Sequence, residues 1–329
     1  MQLRGVNLGG WLLLERWITP SLFAGTNAQD EYSFCAQAPS EATAKLQHHR
    51  ETYITEQDFK WLAEHGVNAI RISVGYWALE SDPPFVQCVD VLDQAFAWAA
   101  KYNLHLLLDL HGAPGSQNGQ DHSGKASDTS WNRQSNINRT LEVLNRLCER
   151  YGKQPALYGV ELLNEPGWKV PLRTLRSFYD KGYDVVRQYC SERVAVIVSD
   201  AFKPLAWNDF LANPKYKNLT LDMHLYQCFG PHDKALSLEA HIEKARHEWA
   251  TTITSVARPV IVGEWSLGLD GKTFTGMSDS QKTTAIASYA QAQLDGFGNA
   301  QGWFFWSYKT EDMPGWSYRA SVESGVWPK

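Results

Sequence analysis

Leu157-Tyr158-Gly159-Val160-Glu161-Leu162-Leu163-Asn164-Glu165-Pro166 is a short apolar run that ends in an acid and a proline. It reads as a buried strand whose tip reaches a polar mouth. A second run of the same kind, Pro259-Val260-Ile261-Val262-Gly263-Glu264-Trp265, follows much later in the chain. An unpaired buried charge costs several kcal/mol, so each carboxylate is tolerated only where its side chain leaves the packed interior. Two such tips imply one shared site. Paired carboxylates on facing strands are what glycosidic bond cleavage needs, one to protonate the leaving oxygen and one to attack or to activate water.

Outward from these runs, short apolar stretches alternate with amphipathic ones from end to end. Candidate strands fall at residues 3–7, 69–74, 105–110, 158–163, 194–199, 220–224, 260–263 and 302–306. Between them, Phe59, Leu62 and Ala63 line one helical face, and Val91, Leu92, Ala95, Phe96 and Ala99 line the next. Ile137, Leu141, Leu144 and Cys148 form another, as do Ile242, Ala245, Trp249 and Ile253. Strands separated by helices in this way predict an α/β fold, the closed parallel (β/α)8 TIM barrel, with the active site at the carboxyl ends of the strands. An open doubly wound sheet is the alternative, but no Gly-x-Gly-x-x-Gly follows the first strand and no phosphate loop is present. Residues 1–329 read as a single catalytic domain, with no internal repeat, low-complexity tail or Pro/Ser linker.

Composition narrows the partners. No stretch approaches the roughly 18 consecutive apolar residues of a membrane span, and the hydrophobic fraction of 43% is ordinary. Net charge is -5 and the pI about 6.1, with Lys and Arg scattered, so nucleic acid is not an expected partner. The 14 Trp and 14 Tyr suit sugar, because aromatic faces stack on C–H surfaces while the polar tips reach hydroxyls. Aromatics also fill cores: Trp98, at helical spacing, reads as core, and Trp306, at a strand end, as site. Cys35, Cys88, Cys148, Cys190 and Cys228 are odd in number and irregularly spaced, so neither a zinc site nor a disulfide framework is indicated and buried free thiols are expected. No metal-ligand cluster is visible, no cofactor is expected, and a monomer is anticipated. No charged-then-apolar leader precedes Leu3-Arg4-Gly5-Val6-Asn7, which reads as strand. That start fits a cytoplasmic enzyme, or a secreted or periplasmic one whose leader has been removed.

In a barrel the polar residues at the strand ends must converge: Arg71, His111, Asn164 with Glu165, His224 with Tyr226, Glu264, and Trp306. Each alone has a plainer reading, Arg71 as a structural ion pair, the histidines as satisfied structural groups, Asn164 and Pro166 as turn formers. Their joint placement favours a site. Two long connections, residues 112–133 after the third strand and about 19–52 after the first, exceed the usual loop length and are expected to wall the mouth.

Asn164-Glu165-Pro166 after an apolar strand, with Arg71 and His111 before it and His224-x-Tyr226, Glu264 and Trp306 after it, resembles glycoside hydrolase family 5 of the large retaining barrel clan. Within that family the chain is most similar to the exo-β-1,3-glucanases of yeasts and other fungi. The resemblance spans the whole chain in order. It rests on the blocks Arg4-Gly5-Val6-Asn7-Leu8-Gly9-Gly10-Trp11-Leu12, Thr19-Pro20-Ser21-Leu22-Phe23, Gly115-Ser116-Gln117-Asn118-Gly119, Glu161 to Pro166, Gly263-Glu264-Trp265-Ser266, and the ending from Trp316-Ser317-Tyr318 to Trp327-Pro328. It implies a retaining hydrolase of β-glucan, with Glu165 as acid/base and Glu264 as nucleophile. Neighbouring like charges resist double ionisation, so Glu165 is expected to hold its proton to higher pH while Glu264 stays charged. The resemblance further implies that Arg71 and Tyr226 attend the nucleophile and that His224 partners the acid/base. Asn164 is to hold the sugar 2-hydroxyl, His111 to contact the 3-hydroxyl region and Trp306 to floor the cleaved sugar. Glu15 and Asp121 match acids that grip the terminal glucose and end the cleft.

Three departures stand out. Gln120 replaces an aromatic of the fungal entrance clamp, whose partner is kept as Phe229, so half of the clamp is missing. The cysteines of the fungal disulfides are absent. The chain is also shorter than secreted fungal relatives, which suggests a bacterial or otherwise trimmed member. The same chemistry would serve an endo-acting glucanase, a β-1,6-glucanase, a transglucosylase or a glucoside-lipid hydrolase. A catalytically silent glucan-binding barrel is the reading from another class.

Overall fold

Ala69-Ile70-Arg71-Ile72-Ser73-Val74-Gly75 alternates large apolar side chains with small or polar ones, and the fold is built on that two-residue period. Ile70, Ile72 and Val74 point outward into the layer under the helices, whereas Ala69 joins the barrel interior. The computed structural model describes residues 2–328. Its strands are β1 (Leu3–Asn7), β2 (Ala69–Gly75), β3 (His105–Gly112), β4 (Leu157–Glu161), β5 (Ala195–Ser199), β6 (Leu219–His224), β7 (Val260–Trp265) and β8 (Gly302–Phe305). Each pairs in parallel with the next and β8 closes on β1, the expected barrel.

The expected helical faces pack against it. Phe59 and Leu62 are buried on Glu56–Glu64, Leu92, Ala95, Phe96 and Ala99 on Val89–Lys101, and Ile137, Leu144 and Cys148 on Gln134–Tyr151. The face carrying Ala245, Trp249 and Ile253 passes through a π turn at Lys244–Glu248. Trp98 packs edge-on against Phe59, with ring centroids 5.3 Å apart, as a core residue should. No disulfide joins the cysteines: four are buried, and Cys228 is half-buried rather than buried. Among the described residues no helix is long and apolar enough to cross a membrane.

Inside the barrel, Leu3, Ala69, Leu107, Ala195, Ile197, Ile261 and Phe304 form a closed apolar floor. Phe304 fills the space beside Gly5, where a Cβ would lie 2.3 Å from its ring. Further along the strands, the same inward positions carry Asn7, Arg71, Asp109, Glu161 and Asp222, all completely buried. Register sets them side by side, Asn7 with Arg71, Asp109 with Glu161 and Asp222 with Ser199.

The strand boundaries differ from the sequence reading where function begins. β4 ends at Glu161, because Leu162 N–H then bonds Ile197 O and Asn164 N–H bonds Leu110 O, each at 3.0 Å, which draws the chain toward both neighbours. β7 runs on to Trp265 through a register shift that sets Glu264 beside His224. The long connection after β3 does wall the mouth. Residues 19–52 do not: they are largely helical, over Glu31–Gln37 and Pro39–Thr52, and none lines the cavity. They brace the wall instead. Buried Glu31 accepts Leu14 N–H at 2.9 Å, and Asp30 accepts Ala126 N–H at 2.7 Å, which ties the first loop to the second.

Candidate active site

Beyond β4 the backbone turns so that Glu165 takes φ +39°. That conformation costs a non-glycine residue about 1–3 kcal/mol and persists only where its surroundings fix it. Here Asn118 Nδ2 donates to the Glu165 carbonyl at 3.1 Å, and Gln117 Nε2 donates to the Asn164 carbonyl at 2.9 Å. The turn aims the Glu165 side chain across the mouth toward β6 and β7. His224 Nδ1 lies 2.6 Å from Glu165 Oε1 and 3.4 Å from Glu264 Oε2. The two carboxylates and the imidazole bring ligand atoms within 4.8 Å of one another.

Each oxygen of Glu264 has its own donor, Arg71 Nη1 to Oε1 at 3.1 Å and Tyr226 O–H to Oε2 at 2.8 Å. Arg71 is completely buried: Nη1 also donates to Asn7 Oδ1 at 2.9 Å, Nε donates to Glu161 Oε2 at 2.9 Å and Nη2 to Asn164 Oδ1 at 2.8 Å, with Asp109 Oδ2 at 3.2 Å from Nη2. His111 Nδ1 bonds Asp109 Oδ2 at 2.6 Å, while its ring stacks on Trp306 at 5.4 Å and 9°. Beneath His224, Asp222 Oδ1 accepts Gly263 N–H at 2.6 Å. Only glycine fits there, since a Cβ would lie 2.0 Å from Asp222 Oδ2.

These groups share a cavity of about 690 Å3, in the range of small-ligand sites. Glu15, His111, Asp121, Glu165, Tyr226, Phe229, Glu264 and Trp306 line it. Arg71, Asn164 and His224 lie just behind that surface and hold the lining residues. Trp17 Nε1 donates to Glu15 Oε2 at 2.9 Å. Gln120, in the place of the missing clamp aromatic, lines the cavity as an exposed residue.

The electrostatics reverse one expectation. Burial pushes the Glu165 carboxyl up, but the hydrogen bond and the charge of His224, foremost among its neighbours, outweigh it and hold the carboxyl down at about 2. Burial pulls His224 down, yet Glu264, Asp222 and Glu165 raise it well above the ordinary histidine range. These opposed directions make His224 the competitor for the proton expected on Glu165, one hydrogen bond of 2.6 Å away. Burial, followed by Asp121, pushes Glu15 well up. Burial also raises Glu161 well above the usual carboxylate range, against the pull of Arg71, with Asp222 and Asp109 adding to the rise. That direction sits beside an Arg71–Glu161 contact of 2.8 Å that looks like a plain ion pair. The neutral acid is the consistent state, since the Arg71 guanidinium and the His224 imidazole together cannot balance Asp109, Glu161, Asp222, Glu264 and Glu165.

Several members of the site escaped the sequence reading. Asp109, Glu161 and Asp222 build the buried network, His122 Nε2 approaches Glu165 Oε2 at 3.4 Å, and Trp17, Trp168, Phe202, Met313 and Trp316 line the cavity. Two triplets of donor groups, Glu161–Asp222–His224 and Glu165–His224–Glu264, also converge within 4.8 Å. The sequence shows neither, because their members come from different strands and loops. Both triplets contain His224, and the cation already beside them is the Arg71 guanidinium.

The family profile described as cellulase (glycosyl hydrolase family 5) matches residues 33–312. The chain belongs to glycosyl hydrolase family 5. This family 5 enzyme is 38% identical to the glucan 1,3-beta-glucosidase of Schwanniomyces occidentalis, over 99% of this chain and 87% of that one. It is 38% identical to that of Blumeria graminis, over 100% and 87%. It is 35% identical to the probable glucan 1,3-beta-glucosidase A of Emericella nidulans, over 100% and 90%. Among solved structures, rutinosidase from Aspergillus niger superposes with a TM-score of 0.83 at 23% identity, covering 99% of this chain and 98% of that one. Endoglucanase Cel5A from Thermotoga maritima gives 0.60 at 16% identity, covering 96% and 91%. At such identities these two matches speak for the barrel alone.

Proposed function

We propose that this family 5 enzyme is a retaining β-glucoside hydrolase that releases glucose from the non-reducing ends of β-1,3-glucan, acting as a monomer, with Glu264 as nucleophile and Glu165 as acid/base. One observation carries the reading. A retaining pair works at about 5 to 5.5 Å, and ligand oxygens of Glu165 and Glu264 come within 4.8 Å across one cavity. The relatives named glucan 1,3-beta-glucosidase supply the substrate class.

In the first step a Glu264 oxygen bonds to C1 as the bond from C1 to the leaving oxygen breaks. The proton that leaves with that oxygen starts on His224 Nδ1 and reaches it through Glu165, along the 2.6 Å hydrogen bond. In the second step water attacks C1, gives its proton to Glu165 and frees Glu264. Arg71 and Tyr226 keep both oxygens of the nucleophile oriented throughout. Exo action is supported by Glu15 and Asp121 on the cavity wall. A carboxyl kept neutral by burial both donates and accepts, a match for a sugar hydroxyl.

Early products from laminarin test the reading. Glucose alone is expected, and a ladder of oligomers in the first minutes would overturn exo action. Full turnover is also expected after exhaustive chelation, since Arg71 and His224 supply the positive charge around the carboxylates; a strict requirement for an added divalent ion would contradict the mechanism.

A further inference from the structure

Past β6 the chain loses its backbone support. Leu225 N–H bonds the Glu264 carbonyl at 2.9 Å, and residues 226–229 then enter no backbone–backbone hydrogen bond among the described residues. Yet this stretch carries Tyr226, whose O–H sits 2.8 Å from Glu264 Oε2, and Phe229 on the cavity wall. Gln227, between them, is buried behind the cavity rather than in its lining. Its amide makes two bonds to one residue: Nε2 donates to the His241 carbonyl at 3.1 Å, and Oε1 lies 2.9 Å from His241 Nδ1. A carbonyl can only accept, so the amide nitrogen faces it, the amide oxygen faces the ring, and Nδ1 carries the hydrogen. His241 is completely buried on the helix Leu238–Glu243, and its ring meets Tyr289 of the helix Asp279–Gly296 edge-on, with centroids 6.0 Å apart. Its Nε2 is buried without a partner, which a lone pair tolerates better than an N–H, and burial lowers the imidazole below its ordinary value.

Resting on the roles proposed above for Glu264 and Tyr226, we infer that Gln227 and His241 are positioning residues: their two-point bond anchors the loop after β6 to the outer helices and so holds the Tyr226 O–H on the nucleophile. Gln227 and His241 stay out of the cavity lining and act through Tyr226. With no backbone bond to hold residues 226–229, the buried amide of Gln227 is what keeps its neighbour in register. A misplacement of about 1 Å at a reacting group can cost about 10^2-fold in rate. A buried pair with only a structural role behaves differently: its loss lowers stability and leaves kcat of the folded enzyme intact.

The test is a double-mutant cycle between Gln227→Met and Tyr226→Phe, read as kcat and KM on laminaritriose. Tyr226→Phe deletes a hydrogen bond to a carboxylate and should lower kcat by about 10- to 100-fold. Gln227→Met keeps the length of the side chain but removes both bonds; it should lower kcat by about tenfold and leave KM within about twofold. In the Tyr226→Phe background the same change should cost less than about twofold in kcat, because the hydroxyl it would misplace is gone. His241→Leu should act as Gln227→Met does, and His241→Asn, whose amide sets a donor where Nδ1–H stands, should recover most of that loss. Should Gln227→Met not fold, Gln227→Asn, which keeps the amide but draws it back by one methylene, is expected to show the same pattern at about threefold. Wild-type kcat in the Gln227 variant, or an equal loss in both backgrounds, overturns the inference, while a slowed Tyr226→Phe enzyme leaves the reading of Glu264 standing. Wild-type turnover in Tyr226→Phe itself would overturn both.

Discussion

Ala69 and Leu107 face the barrel interior from the same strands as Arg71 and Asp109, one pleat lower. The lower ring is dry and apolar, and its burial stabilises the fold at roughly 25 cal/mol per Å2. The upper ring is equally buried but carries a guanidinium and several carboxyl groups. Such groups repay their desolvation only when fully paired, and an apolar set of the same shape is often as stable or more so. Identical strands therefore do two jobs. The floor holds the barrel closed, and the ring above it gives up stability to fix where Glu264 and His224 point.

The largest expected effect separates those jobs. Glu264→Ala should lower turnover of laminari-oligosaccharides by about 10^4-fold or more, as loss of a nucleophile does. Its melting temperature should stay level or rise, because a buried carboxylate is removed. Hydrolysis close to wild type would exclude the nucleophile role, and a collapsed melting temperature would deny the division between the layers. Glu165→Ala comes next, with a loss of about 10^2- to 10^4-fold on glucan. Aryl glucosides with activated leaving groups, which need little proton assistance, should be largely spared; an equal loss on both substrates would argue against acid catalysis. Leu107→Ala addresses the floor. It should cost about 2–5 kcal/mol of stability, read by denaturant unfolding, and leave kcat of the folded enzyme unchanged. A change in kcat without one in stability would show that the floor also shapes the site.

The same period of two explains what the chain discloses before folding. Outward-facing Ile and Val made the strands readable, and the polar residues at their ends disclosed Arg71, His111, Glu165, His224 and Glu264. The network beneath was written in the same code, in Asp109-Leu110-His111 and Asp222-Met223-His224, where acid and histidine two residues apart must share a face. Those acids sit inside apolar strand runs, and Glu161 lies four residues before the more conspicuous tip at Glu165. His122, Trp168 and Phe202 lie on loops without a period. Their directions depend on turns such as the positive φ of Ala201 and Phe202, which only tertiary bonds enforce. A carboxylate pair raises one pKa in isolation, whereas here the His224 imidazole, raised above its ordinary range, stands between the two and pulls Glu165 down.

The two histidines beside Glu165 give the finest comparison within the upper ring. His224, against Oε1, is raised well above the usual value despite burial, through Glu264, Asp222 and Glu165. His122, against Oε2, is lowered, because burial outweighs Glu165 and Glu264 while His111 opposes its charge and Asp121 favours it. The contribution of His224 to stability is whole below its unfolded pKa of about 6.5 and is lost as pH rises through the raised folded value. Glu165 runs the other way: its contribution is whole above about 4.3 in the unfolded reference and is lost as pH falls toward about 2. The alkaline limb of kcat/KM should accordingly lie above the ordinary histidine range, where the shared proton leaves His224. In His224→Gln the shared proton can reside only on Glu165, whose carboxyl burial then raises unopposed by the imidazolium, and the limb should move acidwards into the range of a buried carboxyl. His122→Asn removes a neutral ring, so it should shift that limb by less than about half a unit and change kcat by less than about threefold. Matching pH profiles for the two variants would mean that the proton is not held where the geometry around Glu165 puts it.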